Sequence, residues 1–171
     1  MVEAAIFVIF PLCVAMAAFC DFISMKIPNR ISVILAVSFF VVAPFSGMDW
    51  MTIAWSVAAA LVVFAGCFTL FAFNVMGGGD AKILSAAALW YGFNVNLVAF
   101  LGFTGIFGGV LALVVLMIRA NQNQLLVSPI PLPMHFFRDR EGIPYGVAIG
   151  VAAFATYPQT EIFLHALGRL S

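Results

Sequence analysis

Two aspartates stand in a chain that is otherwise almost all apolar. Asp21 closes the first long apolar run, in the stretch Cys20 to Arg30 (CDFISMKIPNR), and Asp80 follows Gly77, Gly78 and Gly79 in GGGDAK. An ionisable residue at or within a transmembrane segment is costly to keep there, which makes it a functional candidate. Two carboxyls brought within about 5 Å, at an effective dielectric near 20, repel by about 3 kcal/mol when both are charged. One then keeps its proton while the other stays ionised. The ionised acid can take a proton from water as that water attacks a peptide carbonyl, and the protonated acid can hydrogen-bond the carbonyl oxygen. The pair titrates as a unit, so neither role is assigned to one residue.

Each acid also has a plainer reading. Asp80 could be the N-cap of a helix, with the glycines supplying the turn before it. That role is compatible with chemistry, because glycine also lets a second backbone come close. Asp21 at the C-terminal end of a helix would face the negative end of the helix dipole, so capping does not account for it. Its plainer reading is a solvated interfacial acid paired with Lys26 or Arg30. Pro28 forces Ile27 out of helical geometry, and Pro28-Asn29 favours a tight turn that ties the first two helices together.

The elements that must position these acids follow from composition. Of the 171 residues, 65% are hydrophobic and 8% charged, with a mean hydropathy of +1.17. A water-soluble domain of this size would carry one continuous apolar surface, so the chain reads as an all-α integral membrane protein forming a single domain over 1–171. Seven basic and seven acidic residues balance, which gives no reason to expect a nucleic-acid partner. Cys13, Cys20 and Cys67 lack metal-ligand spacing and read as small core hydrophobes. No Lys or Arg precedes Lys26, so the first run reads as a retained helix rather than a cleaved leader.

A bilayer core of roughly 30 Å needs about 20 helical residues. Six spans are expected, at about 2–21, 31–47, 51–74, 80–94, 97–118 and 144–164. The apolar stretches are continuous, which excludes a β-barrel pattern. With alternate loops on opposite sides, Lys26, Arg30, Lys82, Arg119, Arg138 and Arg140 share one side and only Arg169 lies on the other. That bias places both termini outside, and Asp21 and Asp80 together at the cytoplasmic face. The fourth span reaches only about 22 Å, so it is expected to be buried by its neighbours, with Asp80 in a protein-lined cleft.

Taken together, DFISMKIPN (Asp21 to Asn29), GGGDAK (Gly77 to Lys82) and IPYGVAI (Ile143 to Ile149) resemble the type IV prepilin peptidase family of membrane aspartic peptidases. The resemblance implies an endopeptidase that removes short basic leaders from prepilins after a glycine, with Asp21 and Asp80 as the catalytic pair. It implies that Gly77 and Gly79 shape the turn, with Gly78 between them, and that Pro144, Tyr145 and Gly146 lie near the site. Pro28, Asn29 and Lys82 belong to the same matched motifs. Longer family members carry a cytoplasmic domain with paired C-x-x-C zinc ligands after the first helix. Only about ten residues separate Asp21 from Ile31 here, so the likeness is to the short form of the tight-adherence (Flp) pilus systems, and N-methylation is not expected. The implied partners are a prepilin with a basic leader and an apolar helix, the lipid bilayer and the pilus assembly machinery.

Other chemistries fit less well. His135 and His165 fall on opposite sides of the membrane, and neither H-E-x-x-H nor G-x-S-x-G occurs. Ser24, Ser85 and Ser128 have no evident basic partner. No metal or cofactor is expected. The segment His135 to Arg140 (HFFRDR) has an amphipathic look that suits the membrane surface. Two competing functions remain: an intramembrane protease of the presenilin or signal-peptide-peptidase kind, and a small transporter or assembly scaffold whose acids bind a cation.

Overall fold

The computed structural model describes residues 2–120 and 142–168. These form helices joined by short connections, with no strand among them. The helices are α1 (Val2–Ser24), α2 (Asn29–Val42), α3 (Trp50–Ala72), α4 (Gly78–Tyr91), α5 (Val95–Ala120), α6 (Tyr145–Thr156) and α7 (Glu161–Gly168). Short 3-10 turns extend α2 through Ala43–Ser46 and α6 through Tyr157–Gln159. Four segments are long and apolar enough to cross a membrane: α1, α2 with its 3-10 extension, α3 and α5. A fifth is reached if α6 and α7, bent by 48° at Thr160, count as one span. The expected surface segment with His135, Arg138 and Arg140, together with Ser128 and Arg169, lies outside the described residues.

α4 departs from an ordinary span. Its 14 residues rise only about 21 Å, too little for the bilayer core. Ten of the 14 are buried, because α2 and α3 flank it and α1 and α6 close over it. A short helix is tolerated in this position because protein, not lipid, surrounds it. The core face of α1 runs Ile6, Phe10, Cys13, Val14, Ala17 and Asp21. That spacing is one stripe of a 3.6-residue helix, so Asp21 lies at the end of the stripe that faces protein. Val8, Leu12, Met16 and Phe19 occupy the opposite, exposed face.

The two ends of the bundle are built differently. At one end, Phe10 stacks on Tyr157 with centroids 3.9 Å apart, and Tyr91 stacks on Phe100 at 4.5 Å. The polar tips of this cluster are all engaged. Trp90 Nε1 donates to the Leu35 carbonyl at 2.9 Å, and the Tyr157 hydroxyl donates to the Ile6 carbonyl at 3.0 Å. The Tyr91 hydroxyl meets Thr156 Oγ1 at 2.7 Å. At the other end, small residues replace the aromatics. Gly146 and Gly150, a G-x-x-x-G pair on α6, face α1 so closely that a Cβ on Gly150 would lie 2.9 Å from the Ala18 Cβ. Close backbone approach through small residues is a common way to join helices in lipid. Here it draws the C-terminal end of α1 against the start of α6.

Candidate active site

Asp21 and Asp80 come from different helices and reach one place. α1 continues past Asp21 to Ser24, so the acid sits in the last helical turn, not at the end of the helix. It is 5% exposed, and its Oδ2 accepts the Gly146 N–H at 2.7 Å. Gly146 is the second residue of α6, so the unfavourable dipole of α1 is opposed by the positive N-terminal end of α6. When Asp21 is the ionised partner this bond is charge-assisted and among the stronger hydrogen bonds. Gly146 must be a glycine, because an added Cβ would lie 2.9 Å from both the Cβ and the Oδ2 of Asp21.

Asp80 is not the N-cap. Gly77 holds that position in extended geometry, and Asp80 is the third residue of α4. Its carboxylate turns back to accept the Gly77 N–H, the reciprocal half of a capping box. Each acid therefore rests on the N-terminal end of a helix, α6 for Asp21 and α4 for Asp80.

Both acids line two adjoining cavities, of about 640 and 320 Å³. Asp21, Met25, Gly77 and Asp80 are walls of both. The larger cavity continues past Asn74, Arg119 and Tyr145; the smaller continues past Lys26, Asn29 and the glycines. The arrangement offers two buried carboxyls to one polar space that is large enough for an extended peptide and a water molecule. That is what an acid pair needs to activate water against a carbonyl.

The other residues singled out from sequence divide by role. Pro28 is the N-cap of α2 and Asn29 its first helical residue, so the helix begins two residues before the expected start at 31. Asn29 Oδ1 accepts a hydrogen bond from Lys82 Nζ at 2.9 Å, which ties α2 to α4 beside the smaller cavity. Gly77, Gly78 and Gly79 do not form a left-handed turn, since none has positive φ. Their use is close approach to the chain itself. A Cβ would lie 2.8 Å from Asp80 Oδ2 at Gly77, 3.2 Å from the Phe71 ring at Gly78, and 3.2 Å from the Ile27 Cβ at Gly79. Pro144 caps α6, and the ring of Tyr145 packs onto α5 where a Cβ on Gly108 would collide with it.

Sequence reading missed several residues of this region. Met25 and Asn74 adopt left-handed backbone, at φ 54° and 57°, and both line the larger cavity. Left-handed geometry is uncommon for a residue such as methionine, and such positions cluster at functional sites. Arg119 donates to the Gly142 carbonyl at 2.9 Å and so holds the strand of chain that enters α6. A local signal existed for two of the contacts: the G-x-x-x-G of α6 and the glycine-rich GFTGIFGG of α5 both mark close helix packing. Nothing local marks Met25 or Arg119.

Comparison with curated proteins and with solved structures finds no match to this chain. A family model does match, over residues 8–118, and it describes the type IV leader peptidase family. The match includes Asp21, Asp80 and the whole of α2, α3 and α4. This multi-pass membrane protein therefore belongs to the type IV leader peptidase family of proteases.

Proposed function

We propose that Asp21 and Asp80 are the catalytic pair of an aspartic endopeptidase. The observation that carries this reading is their meeting as buried acids in a shared cavity, each on the N-terminal end of a separate helix. One acid takes a proton from water, whose oxygen bonds to the scissile carbonyl carbon. The other acid gives its proton as the C–N bond breaks and the new amine leaves. The substrate is a Flp-like prepilin with a short basic leader, cut after a glycine. The chain crosses a bacterial inner membrane six times as a single domain, with both termini outside and the acids at the cytoplasmic face. Lys26, Lys82 and Arg119 support that orientation, since Lys26 and Arg119 line the cavities of the acids and Lys82 bonds Asn29 beside them. The short connection between α1 and α2, residues 25–28, leaves no room for the zinc-binding domain of longer members. Cleavage without N-methylation is the activity proposed, and the pilus assembly machinery is the proposed recipient of the product.

Purified protein in proteoliposomes, given a Flp-type prepilin, tests this directly. Cleavage after the glycine is expected, at a rate that a chelator leaves unchanged. Replacing that substrate glycine by leucine is expected to block cutting far more than replacing it by alanine. Intact prepilin after prolonged incubation with folded protein would refute the reading, and activity lost in chelator and restored by a divalent ion would refute the two-acid mechanism.

A further inference from the structure

A third concavity lies away from both acids and shares one wall residue, Asn29, with their smaller cavity. It is a groove of about 540 Å³ between α2 and α3, floored by α4. Val33, Ala36, Ala60, Leu61 and Phe64 form its walls, and Ala86 forms part of its floor. Alanines at 36, 60 and 86 keep it deep, so another helix could bring its backbone or its larger side chains close. On α2 the groove runs from Asn29 to Ala36 and on α4 from Lys82 to Leu89. Seven residues of rise give about 10 Å, or two turns of a docked helix.

Its position identifies the occupant. Asn29 is a wall of this groove and also of the smaller cavity that holds Asp21 and Asp80. The Lys82–Asn29 hydrogen bond marks the point where the apolar groove becomes the polar chamber. A substrate that presents an extended, polar junction to the acids and an apolar helix to the bilayer would be continuous across that point. The other open face with small residues, Gly102, Gly105 and Gly109 on α5, contributes no wall to either cavity of the acids.

We infer that the α2/α3 groove seats the first two turns of the substrate's apolar helix, immediately after the bond to be cut. This rests on the leader-peptidase reading above and adds the surface that selects the substrate. Helix binding remote from the reacting bond would hold the junction in register with the acids.

Photo-crosslinking in proteoliposomes tests the assignment. The Asp80→Asn protein would carry a photoreactive residue at Val33 or Leu61 in the groove, or at Ile106 or Val110 on the exposed face of α5, and would be given intact prepilin. Adducts to the apolar helix are expected from the groove positions and not from α5. In the otherwise unaltered enzyme, Ala60→Trp is expected to raise KM for prepilin about tenfold by filling the groove, and Val110→Trp to leave it unchanged. Adducts from α5, or only lipid adducts from the groove, would overturn the inference while leaving the protease reading intact, provided the wild-type protein cleaves. Failure of the wild type to cleave prepilin would instead remove the reading on which the inference depends.

Discussion

The two ends of this bundle solve opposite problems with the same helices. At the aromatic end, Phe10, Trp90, Tyr91 and Tyr157 fill the space between α1, α4 and α6, and their polar atoms are spent on backbone carbonyls and Thr156. At the acidic end, Gly146 and Gly150 draw α6 against α1, and the residues around them leave cavities and bury two carboxyls. Dense packing at one end allows the other to hold groups that are costly in a membrane. The acids are not left to water alone. They are placed on the positive ends of α4 and α6, while hydrophobic packing far from the site holds those helix ends in position.

The largest effects are expected at the acids. Asp21→Asn and Asp80→Asn are each expected to lower turnover by about 10⁴-fold, since residues that act as a unit fail together. Both variants should insert and melt like the parent, because an amide is less costly to bury than a charge. Turnover above a tenth of the parent's in either stable variant would sink the pair.

Gly146→Ala comes next. The new methyl meets Asp21 at 2.9 Å, so a loss of about 1–3 kcal/mol in stability is expected, with turnover down about 100-fold through displacement of the acid. Gly150→Ala creates a similar clash with Ala18 one turn away. It should cost comparable stability while retaining most activity. Equal loss of turnover in the two would show that helix approach in general, and not the Gly146 contact to Asp21, is what the site needs.

A smaller effect is expected at Met25. Glycine relieves its left-handed backbone, so Met25→Gly should raise thermal stability by about 1 kcal/mol and lower turnover by removing a wall shared by both cavities. A melting temperature that falls instead would mean that the methionine's packing outweighs its backbone strain. At the aromatic end, Tyr91→Phe removes the hydrogen bond to Thr156. About 1 kcal/mol of stability should go, with turnover within twofold of the parent. A larger drop in turnover would show that the two ends are coupled.

Much of the site was legible in sequence because its chemistry is written in rare residues. Asp21 and Asp80 stand out against a background that is 65% hydrophobic, and the basic residues nearby mark one side. The stripe from Ile6 to Asp21 repeats at helical spacing, so the protein-facing direction of Asp21 could have been read from α1 alone. Capping was harder to read. Asp is a favoured N-cap, and local preference alone pointed to Asp80, but Gly77 takes the cap and Asp80 the third position. The break in the last span at Tyr157–Gln159 and Thr160 did have a local signal, since Pro158, Gln159 and Thr160 interrupt the apolar run that the expected span at 144–164 reads through.

Hydropathy and residue type are local properties that survive without a fold, so the medium, the helical class, the two isolated carboxyls and the family resemblance could all be read from the chain. How the acids are held came from the packing of the helices. The partner of Asp21 is the N–H of Gly146, 125 residues away in the chain, and the groove beside the site requires α2, α3 and α4 to lie side by side. Such contacts depend on which helix faces cross and how closely, and no single segment encodes a distance to another.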